Sequence, residues 1–367
     1  GISAAGCAPS HSAFVVNGQL YTYGSNKYTQ LGREVEGGEN KEVGAQPGLV
    51  TFETEDGTTP VVEQVALGGF HSAAITSGGA LWTWGWGGSF WSGCGALGQG
   101  HRDALPKPTL VRSLANEGEQ VSQVACGSQH TIILTNEGRL YSTGNGGYGV
   151  LGRGETRDEI NFEEIEYFYE ANDSVLHPGE PIDIVKVGAG NNFSAAMSSG
   201  GELWVWGRND HGQLGLGEEA MGDMYSAERY PRLVRSLAME GHIVIDFACG
   251  EHHIVVLTAS GALYEWGGRT WLEPHPVTLP SRYEESLKNI VKIEAGDKCS
   301  FALTGDGQLY SWGSKSSGCL AQGADAPKNV VEPTAIPTET FKHQKVVDIV
   351  VSKSRCLAMT HEDEFVA

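Results

Sequence analysis

The sequence predicts an all-β chain folded as a seven-bladed β-propeller with four antiparallel strands per blade. Three observations carry this. One short frame recurs along the whole chain. Glycine supplies 51 of 367 residues, roughly twice ordinary usage. Those glycines are scattered among Val, Ile, Leu, Trp and Tyr, the composition of short strands joined by tight turns.

The frame is G-x-x-H, a small or apolar run, a Gly turn, then L-[YW]-x-[WYT]-G. It reads "GGFHSAAITSGGALWTWG" at 68–85, "GSQHTIILTNEGRLYSTG" at 127–144 and "GNNFSAAMSSGGELWVWG" at 190–207. It returns as "GEHHIVVLTASGALYEWG" at 250–267 and "GDKCSFALTGDGQLYSWG" at 296–313. A first copy ends at Gly24 and a last begins at "SKSRCLAMT", which makes seven. The closing glycines Gly24, Gly85, Gly144, Gly207, Gly267 and Gly313 are 61, 59, 63, 60 and 46 residues apart.

Each copy offers four short strands in order. A V-x-x-V piece such as "VVEQVALG" comes first, then the H-S piece, then the L-Y-x-W-G piece. A Pro-led piece closes the copy, as in "KPTLVRSLANEGE" (107–119) and its near-repeat "YPRLVRSLAMEGH" (230–242). Most copies add a Leu-Gly marker after the third piece: "TQLGRE", "GALGQG", "GVLGRG" and "GQLGLG". A four-stranded sheet cannot bury both faces alone, so the copies must pack on one another, and a ring of such sheets is a propeller. The last copy lacks its Pro-led strand. Either the N-terminal residues supply it or the chain continues. The expectation is one propeller domain over 1–367 with loop insertions at 33–44, 86–95 and 155–180.

The charge excludes function classes. With 45 acidic and 25 basic residues the formal net charge is -20. Such a surface repels phosphate backbones, so nucleic acid is an unlikely ligand and a basic partner fits better. No apolar run is long enough for a membrane-spanning helix, so no membrane insertion is expected. The N-terminus lacks the charged and apolar regions of a signal peptide. The seven cysteines form no C-x-x-C pair, and reduced, mostly buried thiols in an intracellular protein are expected. Cytoplasm, nucleus and organelle are equally open.

The frame G-x-x-H-S-x-A-L-T-x-x-G-x-L-Y-x-W-G…G-Q-L-G-x-G resembles the regulator of chromosome condensation family. That resemblance covers nearly the whole chain and implies the seven-bladed propeller. It also implies an activity to consider, guanine-nucleotide exchange on a small GTPase, in which loops of one face displace the GTPase's phosphate-binding elements and metal. Exchange factors of the family carry an acidic residue at the first corner position of their third copy. Ser128 stands there in this chain, a departure that puts exchange in doubt.

Candidate sites are read against that frame. "GCGALG" at Gly93, Gly95 and Gly98 is a literal G-x-G-x-x-G, but it lies in the Leu-Gly marker without a strand–helix context, so its glycines serve turns. Phe90 and Trp91 lie in extra residues of the second copy and either fold over their own blade or form an exposed anchor. His11, His71, His130 and His253 share one frame position on different blades. They are expected to hydrogen-bond inside their blades, with no metal site. The two residues between that Gly and His sit at a tight corner and should project from one face. Ser128, Asn191, Glu251, His252 and Asp297 are the corner residues picked as partner contacts. Residues 155–180 carry nine acidic side chains against one Arg, together with Phe162, Tyr167 and Tyr169. They form either a surface for a basic, partly apolar partner or a long Pro-led strand with Phe162, Ile165 and Phe168 turned inward.

No nucleophile elbow, H-E-x-x-H or P-loop is present, no cofactor is implied, and no catalytic residue is assigned. The function expected is a protein-interaction propeller acting as adaptor or subunit of a larger assembly. The alternatives are a guanine-nucleotide exchange factor and, more remotely, an RNA- or ribosome-associated propeller of an organelle.

Overall fold

The structure is a computed structural model that describes residues 1–37, 42–87, 94–170, 172–220, 226–360 and 365–366. The inner strands of the sheets are Ile2–Cys7, Val62–Leu67, Val121–Cys126, Ile184–Ala189, Val244–Cys249, Ile290–Ala295 and Val346–Ser352. Each packs against the next, and the last packs against the first, so the sheets close a ring round a central channel. In six sheets the strand order follows the chain, four strands out from the axis. In blade one, for example, Ile2–Cys7 is followed outward by His11–Val16, Gln19–Ser25 and Val43–Leu49.

Four strands in every blade is corrected by the seventh sheet. Besides Val346–Ser352 and Arg355–Thr360 it holds the two-residue Phe365–Val366. The idea that N-terminal residues complete it is also overturned. Ile2–Cys7 pairs with His11–Val16 as the inner strand of the first sheet and does not join the seventh. No helix among the described residues is long and apolar enough to cross a membrane.

The repeat motifs have a common purpose at the blade boundaries. The Gln30 carbonyl, in the Leu-Gly marker of blade one, accepts from Ser72 Oγ at 2.8 Å and Trp84 Nε1 at 3.0 Å, both in blade two. The Val150 carbonyl of blade three likewise accepts from Ser194 Oγ at 3.0 Å and Trp206 Nε1 at 2.8 Å. Gln213 O takes Trp266 Nε1 at 3.0 Å. The marker's glycine makes room for the indole. A Cβ on Gly32 or Gly152 would lie 2.6 or 2.8 Å from the Trp84 or Trp206 Nε1, and both residues have positive φ. The indoles themselves are fully buried, so each boundary gains aromatic burial as well as satisfied polar groups.

Blade five lacks the marker loop, which accounts for the short 46-residue spacing. Its boundary partner, Trp312 Nε1, donates instead to Glu265 Oε2 at 2.9 Å. Burial pushes the Glu265 carboxyl above its usual range, and the indole hydrogen bond partly offsets this.

The repeated histidines join blades rather than acting within them, a correction to the sequence expectation. His11 Nε2 lies 2.7 Å from Ser72 Oγ, His71 Nε2 2.9 Å from Thr131 Oγ1, His130 Nε2 3.1 Å from Ser194 Oγ and His253 Nε2 2.9 Å from Ser300 Oγ. Ser72, Thr131 and Ser194 each spend their own proton on a backbone carbonyl, so His11, His71 and His130 must donate Nε2–H to them. In the seventh sheet Arg355 fills the slot and donates to Ala8 O of blade one at 3.5 Å.

Cys299 and Cys319 are disulfide-bonded, a departure from the expected seven thiols, and Cys299 occupies the histidine slot of blade six. Burial pushes the thiols of Cys126, Cys249 and Cys356 up to about 12 and that of Cys7 to about 11, so these four are inert packing groups.

Two outcomes follow from these boundaries. Burial holds His11 and His130 near 3 and His71 and His253 near 4, all below their ordinary 6.5. The unfolded chain therefore binds more protons below pH 6.5, and stability falls as pH drops from there towards 4. Each imidazole contributes a slope of about 1.4 kcal/mol per pH unit. His130→Phe, which copies the Phe193 of blade four, should flatten the pH dependence of the urea midpoint by one imidazole's share. Glu265→Leu should orphan the Trp312 indole and lower unfolding free energy by about 1–3 kcal/mol, measured by denaturant titration at neutral pH.

Candidate recognition face and rim groove

The turn from first to second strand in each blade lies at one end of the channel, and its backbone is tied to the next blade. Gly69 N donates to Gly127 O at 3.3 Å, Ser128 N to Asn191 O at 3.2 Å, Asn191 N to Glu251 O at 3.3 Å, Glu251 N to Gly296 O at 3.1 Å and Asp297 N to Lys353 O at 2.9 Å. This circumferential chain fixes the corner residues while leaving side chains at the mouth. Pro9, Phe70, Ser128, Asn191, Glu251 and Lys353 converge on a cavity of ≈ 330 Å³ there. Ser128 Oγ also donates to Asn191 O at 2.6 Å, which makes it partly architectural. Burial, reinforced by Asp297, raises the Glu251 carboxyl.

Two side-chain groups flank the mouth that the sequence reading did not assemble. Tyr28, Phe70 and Trp86 pack together, with Tyr28–Phe70 centroids 4.6 Å apart and Trp86 5.9 Å from each. Phe70 is 36% exposed. Across the ring, Arg208 holds Asp210 through two 2.7 Å hydrogen bonds and lies over the Tyr148 ring at 5.0 Å. His211 Nδ1 is 2.9 Å from Asp210 Oδ1, and its ring stacks on His252 at 4.5 Å. Burial pushes the Asp210 carboxyl up, but the Arg208 and His211 hydrogen bonds outweigh it and hold it near 2. The string "RNDHGQLG" carried the signal for this group: an Asp-His pair just ahead of the marker glycines, where other copies differ.

Within the channel, burial raises the Glu294 carboxyl to about 7 although Lys292 Nζ lies 3.5 Å away. Among the described residues no group of three His, Cys, Asp or Glu side chains could hold a metal ion.

Residues 155–180 fold as the inward-turned alternative requires. Glu159–Glu164 is the outer strand of blade three and Tyr167–Glu170 a single helical turn. Phe162 is 7% exposed, and Ile165 and Phe168 are wholly buried, so Phe162 packs in the core at the base of the rim groove. Tyr169 is tied back by donating to Gly138 O at 2.5 Å. Asp173 bolts the segment to blade four, accepting from Tyr167 OH at 2.6 Å, Trp204 Nε1 at 2.8 Å and Leu233 N at 3.1 Å.

What remains outside is a groove of ≈ 1220 Å³ between blades three and four. Its walls carry Glu117, Glu119, Glu155, Glu163, Glu164, Glu166, Glu170 and Asp173 against Arg139, Arg153, Arg157 and Arg232, with Tyr141, Tyr167 and Tyr230 between them. Arg157 is taken by Glu155 at 2.6 Å and Glu159 at 3.2 Å, and Arg139 by Glu119 at 3.4 Å. Phe90 and Trp91 lie outside the described residues, as do 38–41 of the 33–44 loop.

A ring of repeated sheets, locked at most boundaries by side chains of the repeat and offering varied corners at one mouth, defines a propeller that presents loops. The chain belongs to the RCC1-like domain family, whose model matches residues 1–358. It is similar to the E3 ubiquitin-protein ligase HERC2 of Homo sapiens, 32% identical over 301 residues, which are 79% of this chain but 6% of that protein. It is similar along more of both chains to the ultraviolet-B receptor UVR8 of Arabidopsis thaliana, 30% identical over 371 residues, 98% of this chain and 74% of the other. Human WBSCR16 has the same fold, with a TM-score of 0.76 at 22% identity over 98% of this chain and 86% of that one. So does Prp20p of Saccharomyces cerevisiae, TM-score 0.75 at 20% identity over 98% and 83%, a protein whose structure is described with its binding to Gsp1p and histones.

Asp210→Ala should release Arg208 and His211 together. The expected result is loss of the mutual ring-current shifts of His211 and His252 in NMR spectra, with a stability cost of about 1–3 kcal/mol; unchanged ring shifts would show that the stack holds without its carboxylate.

Proposed function

We propose that this protein is a non-enzymatic recognition propeller that acts as an adaptor or as one subunit of a larger assembly. The observation that supports this best is the rim groove, whose walls carry eight carboxylates against four arginines. Arg139 and Arg157 are already engaged with carboxylates. A basic segment with apolar side chains complements it, the lysines or arginines meeting the outer glutamates and the apolar groups meeting Tyr167 and Tyr230. Ser128, Asn191, Glu251, His252 and Asp297 would form a second contact area at the channel mouth. The same reading takes the seventh sheet as a seventh blade and the setting as intracellular, in keeping with five free cysteines among the described residues.

Nucleotide exchange on a small GTPase is the second reading. It is favoured by the gathering of Glu251, His252 and Asp297 on the channel face and by the fold shared with Prp20p.

One experiment separates the two. A panel of small GTPases loaded with fluorescent nucleotide is mixed with the protein. Adaptor function predicts no acceleration of release; acceleration that Asp297→Ala or His252→Ala abolishes would establish exchange instead. The groove is tested with Glu166→Lys/Glu170→Lys, both on the exposed wall. An arginine-rich fluorescent peptide should bind the wild type and lose about tenfold or more in affinity to the variant, and equal affinities would exclude the groove.

A further inference from the structure

In all seven sheets the inner strand slips register with its neighbour at the same place. The skipped residue is the second of the strand: Ser3, Glu63, Ser122, Val185, Ile245, Val291 or Val347. Such a bulge leaves one residue without a cross-strand partner and re-aims its side chain. The site lies at the start of each inner strand, and therefore at the end of the channel opposite the corner ring.

The neighbours of the bulge have structural tasks. Ile184, Val244 and Val346 are buried. Lys186 reaches Asp246 at 2.5 Å and Phe247 O at 2.8 Å in the next blade. Lys292 reaches Asp348 at 2.6 Å and Ile349 O at 2.7 Å in the same way. Among the bulge residues Ser122 donates its hydroxyl to Leu134 O and the Val185 carbonyl accepts from Gln123 Nε2, but the side chains of Val185, Ile245, Val291 and Val347 have no such task. Solubility alone would favour polar side chains, and Ser3, Glu63 and Ser122 supply them in blades one to three. In blades four to seven they are Val185, Ile245, Val291 and Val347, exposed by 38, 51, 56 and 48%.

The arc extends outward at blades four and five, where exposed Ile243 packs over Gly201 and exposed Leu176 lies beside Gly200. Six of the fourteen exposed large apolar side chains among the described residues thus share one sector of one face. Apolar exposure concentrated in this way marks a binding surface.

The charges select the occupant. The lysines and aspartates under the arc neutralise one another in pairs, so nothing there attracts an ion. Exposed Asp183 stands beside Val185 and exposed Glu63 on the same face at blade two, while exposed Lys345 flanks Val347. A second copy of the chain would bring its own net charge of -20 against the two carboxylates.

We propose that this face docks an amphipathic segment of a partner protein, whose aliphatic side chains cover the Val185–Ile245–Val291–Val347 arc and whose basic side chains lie against Glu63 and Asp183. This docking rests on reading the chain as a recognition scaffold, but it uses a surface separate from both the rim groove and the corner ring.

The probe is a fluorescent helical peptide with a leucine face and a lysine face, alongside a scrambled peptide of the same composition and a leucine–glutamate counterpart. Anisotropy should show binding of the first alone. Ile245→Arg/Val291→Arg should weaken it by about tenfold or more, while Glu166→Lys/Glu170→Lys leaves it unchanged. Both positions are exposed, so the melting temperature should stay at the wild-type value; Ile245→Gln/Val291→Gln serves if the charged pair does not fold and should also weaken binding. Equal binding by the arc variant, equal binding of the scrambled peptide, or no binding at all would overturn the proposal. Loss in the groove variant alone would move the peptide to the rim and leave the groove reading intact. A dimer in sedimentation that the arc variant dissolves would assign the face to a second copy, and recovery of the protein on anionic vesicles that the arc variant abolishes would assign it to a lipid surface.

Discussion

The ring depends on a single backbone carbonyl at each of several blade boundaries. The carbonyl before the marker leucine has two lone pairs; at Gln30 and Val150 the following blade fills both, one with a hydroxyl and one with an indole N–H, and at Ala96 and Gln213 it supplies one of the two donors. Neither donor could be buried without it, because an unmet buried polar group costs about as much as a mutation that can unfold a small domain. Serine, tryptophan, leucine and glycine of the repeat are therefore parts of one contact split between two blades. The frame recurs because the contact does.

Where a part is missing, the chain replaces its chemistry. Blade five has no marker loop, and a glutamate takes the indole. Blade four has Phe193 in the histidine slot and blade six a Cys299 bonded to Cys319 of its own blade, so those two boundaries do without an imidazole. The seventh sheet closes on blade one through an arginine. With the boundaries held this way, the corners and outer loops are free to vary, and they bear the surface features that distinguish this chain: the aromatic trio at Tyr28, the Arg208–Asp210–His211 group and the acidic groove.

Most of the architecture was legible in the sequence because each frame residue answers to a local, repeated constraint. The strands, their order and the four-strand unit follow from the Gly-to-Gly spacing. Sequence position alone could not reveal which side of a boundary a residue serves, so the histidines looked internal to their blades. Residues 155–180 posed a different problem. Phe162 and Tyr167 are both aromatic residues in an acidic segment, and only the outer-strand register of Glu159–Glu164 shows that Phe162 turns into the core. His211 was missed because its partner His252 lies on another blade, and the Val and Ile bulge residues because a strand pattern gives no warning of a register slip.

The marker-loop contacts point one way along the chain, opposite to the histidine contacts, whose donors lie in the earlier blade. The loop that receives the indole and the hydroxyl belongs to the earlier blade, and the groups that enter it belong to the later one. A ribosome delivers those halves in that order. Each socket is complete before its plug emerges, so a growing chain can seat every new sheet on a finished neighbour, and only the last union, Arg355 onto the first sheet, must wait for both ends to meet.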